Sequence, residues 1–156
     1  MINCTFEDGN EAQLRHVVAD CVVVQNDKIL LVKRTKKLLE GGKWALVGGF
    51  VERDENVEEA ARREILEETG YQVTSVTLAR INSNPDRPHE DRQNISFIFF
   101  CEAGPKTGIP DWESDDQQWF TFDHLPAPDQ LAFDHEAAIR LYQRFRDGKI
   151  TLPLTS

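Results

Sequence analysis

Cysteine is scarce in this 156-residue chain: Cys4, Cys21 and Cys101 are odd in number, far apart and in no C-x-x-C spacing. That argues against a disulfide framework or a zinc site, and it favours a reducing compartment, so a cytoplasmic location is expected. The three thiols read as small buried hydrophobes. Cations are also short, 18 Lys and Arg against 27 Asp and Glu, for a net charge of −9. A nucleic-acid binder needs a basic face, so no nucleic-acid partner is expected. Long hydrophobic runs are missing: none reaches the ~20 residues of a membrane span. The opening MINCTFEDGNEAQ has no basic stretch followed by an apolar one, so no secretory signal and no membrane partner are expected. With no repeat, low-complexity tract or linker, residues 1–156 read as one domain.

What is present suits a folded α/β domain. Hydrophobic content of 40% supplies a core for a chain this long. HVVADCVVV, residues 16–24, is a β-branched run typical of a buried strand. Asn26-Asp27 marks a turn and KILLVKR, residues 28–34, the next strand, so the pair predicts a hairpin. Residues 44–50 predict one short strand whose glycine pair lets the backbone come close to something. Further strands are expected over 73–81, 95–101 and 118–122. A long polar loop holding Arg87, His89, Arg92 and Asn94 separates the first two, and an acidic loop over 111–116 precedes the last. A final helix over 135–146 carries Ala138, Leu141, Tyr142 and Phe145 on one face and stops before Gly148. Trp44 and Trp119 read as core residues. His16, His89, His124 and His135 have no metal-ligand spacing and read as ordinary.

The helix that begins at Val57 has sharp ends. Asn56 and Glu59 have capping-box spacing, and Gly70 stands where a left-handed C-cap belongs. Inside it, Glu64, Glu67 and Glu68 fall within an arc of about 100° in ideal helix geometry, on the side shared with Val57, Ala60 and Ala61. Like charges at these spacings destabilise a helix by roughly 0.2–0.5 kcal/mol per pair. Such a cluster needs a counter-charge, and hard divalent cations supply one through oxygen ligands. Arg63, one turn before Glu67, can pair with it.

Gly49, Glu55, Arg63-Glu64, Ile65, Glu67-Glu68, Gly70 and Tyr71 together resemble a complete Nudix box, with every fixed identity and both bulky apolar positions in place. The flanking ADCVVVQNDKILLVKR and GKWALVGGFVE are similar to segments of ADP-ribose pyrophosphatase-like members. The resemblance implies a Nudix-type α/β/α sandwich with a central mixed β-sheet. It also implies hydrolysis of a nucleoside diphosphate linked to X, with a nucleotide as partner and Mg²⁺ or Mn²⁺ as cofactor. By position, Glu64, Glu67, Glu68 and the Gly48 carbonyl would be metal ligands. Arg63 would orient the carboxylates, Glu55 would brace the loop, and Gly49 and Gly70 would serve structure. The general base is Glu64 or an acidic residue of the later loop: Glu113, Asp115 or Asp116, with Glu113 favoured. The catalytic set is then Glu64, Glu67 and Glu113. Arg34, Phe50 and Arg92 are the substrate-contact candidates. Many relatives have proline where this chain has Val47, a change that removes no ligand. A homodimer is plausible on the same resemblance.

ADP-ribose or a related nucleotide is the substrate this reading favours. Oxidised nucleoside triphosphates such as 8-oxo-dGTP are the enzymatic alternative. A sensor that binds a nucleotide without turning it over is the alternative of another class.

Overall fold

Buried side chains run almost continuously along the middle strands, as in a sheet covered on both faces. The computed structural model describes residues 1–88 and 92–155; His89 lies outside the described residues. In chain order the strands are β1 (Ile2–Thr5), β2 (Glu11–Leu14), β3 (Val17–Gln25), β4 (Lys28–Arg34), β5 (Trp44–Ala45) and β6 (Val47–Phe50). Helix α1 (Val57–Thr69) follows, then β7 (Tyr71–Asn82), β8 (Ile95–Lys106), β9 (Ser114–Thr121), α2 (His135–Arg146) and β10 (Leu154–Thr155). The large sheet runs β10-β7-β8-β3-β4-β5, with β6 added to β3 and β9 to β4. It is mixed: β3 lies parallel to β8 and β10 parallel to β7, while the other pairings are antiparallel.

Period-two alternation assigns the two faces. On one face, Ala19, Cys21 and Val23 of β3, Leu30 and Val32 of β4, and Phe99 and Cys101 of β8 pack on Ala60, Ala61 and Ile65 of α1. On the other, Val22, Ile29, Leu31, Ile98 and Phe100 pack on Ala138, Ile139 and Leu141 of α2. The helices therefore lie on opposite faces of the sheet, the expected α/β/α arrangement. No helix among the described residues is long and apolar enough to cross a membrane.

The β3–β4 hairpin turns through Asn26 and Asp27, both at positive φ, as a primed two-residue turn requires. The one strand expected over 44–50 is two. The chain leaves β4 after Ala45 and joins β3 from Val47. At the crossing, the Leu46 N–H donates to His135 Nδ1 at 2.9 Å rather than to a strand. The acidic loop expected over 111–116 ends early, because Ser114–Asp116 already belongs to β9. There Asp116 sits opposite Lys33, an opposite-charge pairing that makes an acidic strand end favourable. β7 and β8 also run longer than their apolar cores suggest. The β1–β2 hairpin, a separate two-stranded sheet, has no sequence pattern that announces it.

Candidate active site

Helix α1 forms as its caps dictate. The Asn56 side chain accepts from the Glu58 and Glu59 N–H groups, and Glu59 accepts from the Asn56 N–H. Gly70 ends the helix at φ 76° and donates to Leu66 O. This holds the carboxylates of residues 64, 67 and 68 against the β6 glycines.

Arg63 is the hub. It donates to Glu55 at 2.7 and 3.0 Å, to Glu64 at 2.8 Å, to Glu67 at 3.0 Å and to the Phe50 carbonyl at 3.0 Å. These bonds, those to Glu55 foremost, raise the guanidinium pKa above its ordinary value. Glu55 in turn is held below the usual carboxylate range by Arg63 and receives the Glu52 N–H. Glu55 thus ties the loop before α1 to Arg63.

Glu68 is only 5% exposed and receives the Gly48 N–H at 3.3 Å. Burial pushes its pKa well up, and the nearby Glu64 charge adds to the shift. Burial likewise raises Glu64, against the pull of Arg63. Glu67 is more open to solvent than either, so the inward-facing arc of the ideal helix holds for two of the three. A Cβ on Gly49 would stand 2.4 Å from Glu64 Oε1. Only glycine allows the carboxylate to lie on that strand.

One guanidinium therefore serves three carboxylates, and a fourth, Glu68, is buried beside them without it. The donors are all oxygens, with an excess of negative charge that burial makes costly, and a hard divalent cation suits that chemistry. Among the described residues no three His, Cys, Asp or Glu side chains are already gathered at metal spacing.

A cleft of about 380 Å³ opens beside this cluster, a size suited to a small ligand. It brings together most of the residues singled out from the sequence: Gly48, Gly49, Phe50, Arg63, Glu64, Glu67, Arg34, Arg92 and Glu113. Arg34 donates from Nε to Leu39 O at 2.8 Å, and its guanidinium lies 5.2 Å from the Phe133 ring centre. Burial lowers its pKa, opposed by the charges of Glu68 and Glu113. Glu113 is set by its backbone: its N–H donates to Asp111 Oδ1 and its carbonyl accepts from Thr35 N–H. Glu55, Glu68 and Gly70 stand behind the wall. Asp115 and Asp116, the other loop candidates for a base, lie on exposed β9 and do not line the cleft.

Several cleft residues are invisible in the sequence. Asp20, Asp111, Phe133 and His135 line it. Val47, in place of the common proline, is fully buried in the core under α1. His135, which reads as ordinary by spacing, is buried at the cleft floor with Nε2 3.9 Å from Asp20. Its Nδ1 accepts from the Leu46 N–H, so Nδ1 carries no proton. Burial lowers its pKa, against the pull of Asp20 and Asp134. Beside it Arg87 is buried and donates to Asp134 at 2.7 and 3.1 Å. No local signal could mark these residues, since each becomes a neighbour only through strand pairing and helix docking. The loop position of Arg87 was the one available hint.

The NUDIX domain family model matches residues 14–142. An ADP-ribose pyrophosphatase of Methanocaldococcus jannaschii is 38% identical over 133 residues, covering 85% of this chain and 75% of that protein. Nucleoside triphosphatase NudI of Klebsiella pneumoniae is 32% identical over 131 residues, covering 78% of this chain and 89% of its own length. Among solved structures, a UDP-X diphosphatase is alike in fold, with a TM-score of 0.76 at 24% identity over 95% of this chain and 70% of that one.

Proposed function

The chain belongs to the Nudix family and is a hydrolase acting on phosphoric anhydrides; from that premise we propose that it cleaves ADP-ribose, or a closely related nucleoside diphosphate derivative, with a divalent cation. The observation that carries this reading is the Arg63 hub. It organises Glu55, Glu64 and Glu67 at the edge of a nucleotide-sized cleft, beside buried Glu68. The similarity to the archaeal ADP-ribose pyrophosphatase supports the choice of substrate.

Glu64, Glu67, Glu68 and the Gly48 carbonyl are the groups that would hold Mg²⁺ or Mn²⁺. Bound there, the cation supplies charge neutralisation of the diphosphate and a more acidic bound water. Arg63 keeps Glu64 and Glu67 aimed, and Glu55 keeps Arg63 aimed. Arg34, turned into the cleft from the end of β4, meets a phosphate oxygen. Glu113 takes the proton of the attacking water on its carboxylate, from a loop whose backbone is fastened on both sides. Phe50 and Arg92 receive the nucleoside.

The test is a product analysis over ADP-ribose, NADH, dinucleoside polyphosphates, sugar nucleotides and oxidised dNTPs, with Mg²⁺ and with chelator. AMP and ribose 5-phosphate from ADP-ribose, lost on chelation, is the expected result. Turnover indifferent to chelator would overturn the metal, and tight binding without turnover would favour the sensor. Similarity to NudI gives a second reading, a nucleoside triphosphate substrate; preferential release of pyrophosphate from triphosphates would establish it.

A further inference from the structure

Asn94 is only 7% exposed and lines the cleft, and its carboxamide oxygen, shielded from solvent as the side chain stands, has no hydrogen-bond partner among the described residues. A buried acceptor without a donor lowers stability, and such groups in native structures call for an explanation. Slack in the loop does not supply one. Arg15 straps the segment down, donating to the Gln93 and Asn94 carbonyls and, at 2.8 Å, to Ser83 O. The next residue, Ile95, starts the β8 ladder by donating to His16 O at 2.8 Å. Asn94 is thus held rigidly where β8 begins, with its acceptor kept in reserve.

Strand register shows what lies beside it. His16 precedes β3, whose Val18 pairs with Phe50 on β6 and Ser96 on β8. His16 and Asn94 therefore lie side by side just before β3 and β8, two residues along from the Phe50–Val18–Ser96 row and so diagonal to Phe50. His16 backs the Phe50 ring at 4.9 Å between centroids, and the Arg92 guanidinium lies 5.6 Å from its centre. Phe50 is 41% exposed, unusual for a large aromatic ring at the mouth of a cleft. Beside the carboxylates the cleft therefore offers an aromatic ring, a planar cation and a buried acceptor. Flat rings stack on aromatic and guanidinium planes, and an asparagine carboxamide recognises the amino edge of adenine.

We propose that Asn94 is the specificity residue for the nucleobase: its carboxamide turns toward the cleft as the base binds, and its oxygen accepts a hydrogen bond from the 6-amino group of adenine, whose ring lies against the Phe50–Arg92 pair. This deepens the ADP-ribose reading and rests on it for the placement of the diphosphate. It assigns the adenosine half of the substrate to the side of Phe50 and Arg92 and the group X to the side of Arg34.

The experiment compares AMP with purine riboside 5′-monophosphate, which differ only in the 6-amino group. Binding to the full chain is measured by calorimetry in Mg²⁺ buffer. The wild type should bind AMP about 10-fold tighter or more, the scale of one hydrogen bond to a buried acceptor. Asn94→Leu should bring the ratio close to one, and Asn94→Asp, which keeps an acceptor, should preserve the preference. Equal binding of the two nucleotides by the wild type overturns the proposal whatever the variants do. Equal weakening of both by Asn94→Leu also overturns it, and would assign the oxygen to a ribose hydroxyl. ADP-ribose turnover is scored separately. An Asn94-dependent AMP preference without turnover would sink the proposed reaction and leave the base site standing. Turnover without that preference would do the reverse.

Discussion

Gly49 and Glu64 touch so closely that any side chain at residue 49 collides with the carboxylate, 2.4 Å from its Oε1. Gly49→Ala is therefore expected to displace Glu64 more than it disturbs the fold. Misplacing one supporting group at a metal or reacting centre costs about 10- to 100-fold. A loss of that size in kcat/KM, with a melting temperature near that of the wild type, is the expected pair of results. An unfolded variant would show the contact to be a core contact first. Glu68 makes the opposite case. Its carboxylate is buried beside another, with one N–H to help it, so Glu68→Gln relieves like-charge repulsion. Metal-free Glu68→Gln should melt no lower than the wild type, while activity falls at least about 100-fold as a ligand is lost. A large drop in stability would instead mark Glu68 as a structural anchor.

Helix α1 was almost fully legible because a helix is written locally. Its capping box, its C-cap and its carboxylate face depend on residues three or four apart. Asn56→Ala removes two accepted hydrogen bonds and should cost about 1 kcal/mol in urea unfolding. Gly70 carries more than its cap. Its carbonyl accepts from Thr107 and Gly108, and Asp111 N–H donates to Glu67 O, so the end of α1 is the dock for the acidic loop. A Cβ on Gly70 would lie 2.3 Å from Gly108 O as well as forcing a side chain to φ 76°. Gly70→Ala should thus lose more than the cap is worth, over about 1 kcal/mol, and should lower kcat by loosening Glu113. An unchanged kcat in the folded variant would remove Glu113 from the proposed chemistry. Strands were less legible at their ends. The division of 44–50 at Leu46 and the early start of β9 both depend on partners far away in the chain, His135 in one case and Lys33 in the other.

At the scale of the molecule, the N-terminal end of α2 closes the cleft floor through Asp134 and Arg87. Asn82 adds a hydrogen bond to the same carboxylate at 3.0 Å. Burial disfavours the Asp134 charge, but the Arg87 hydrogen bonds outweigh it and hold the carboxyl below its ordinary value. A depressed carboxyl stabilises the fold above its unfolded pKa and loses that contribution as pH falls through the folded one. Asp134→Asn should therefore be less stable than the wild type at pH 7, by ~2 kcal/mol for a pair that is only partly screened. The two proteins should converge below the ordinary aspartate range. Parallel stability curves across that window would show the pair to be neutral. Divalent metal should also stabilise the fold by mass action, by about 2.7 kcal/mol at 100 times its Kd, and Glu68→Gln should abolish the resulting rise in melting temperature.

By itself the sequence determined the chemistry of the cluster. Helix periodicity brings Glu64, Glu67 and Glu68 within one arc, of which Glu64 and Glu68 turn inward, and Arg63 and Gly49 accompany them at close range. The hairpin of β3 and β4 and the limits of α2 were equally local. Only the tertiary structure decided what surrounds the cluster. Asp20, Asn94, Phe133 and His135 are scattered along the chain, and strand register and helix docking bring them to one cleft. Burial, which sets the proton affinity of Glu68 and leaves the Asn94 oxygen without a donor, exists only once the sheet is covered on both faces.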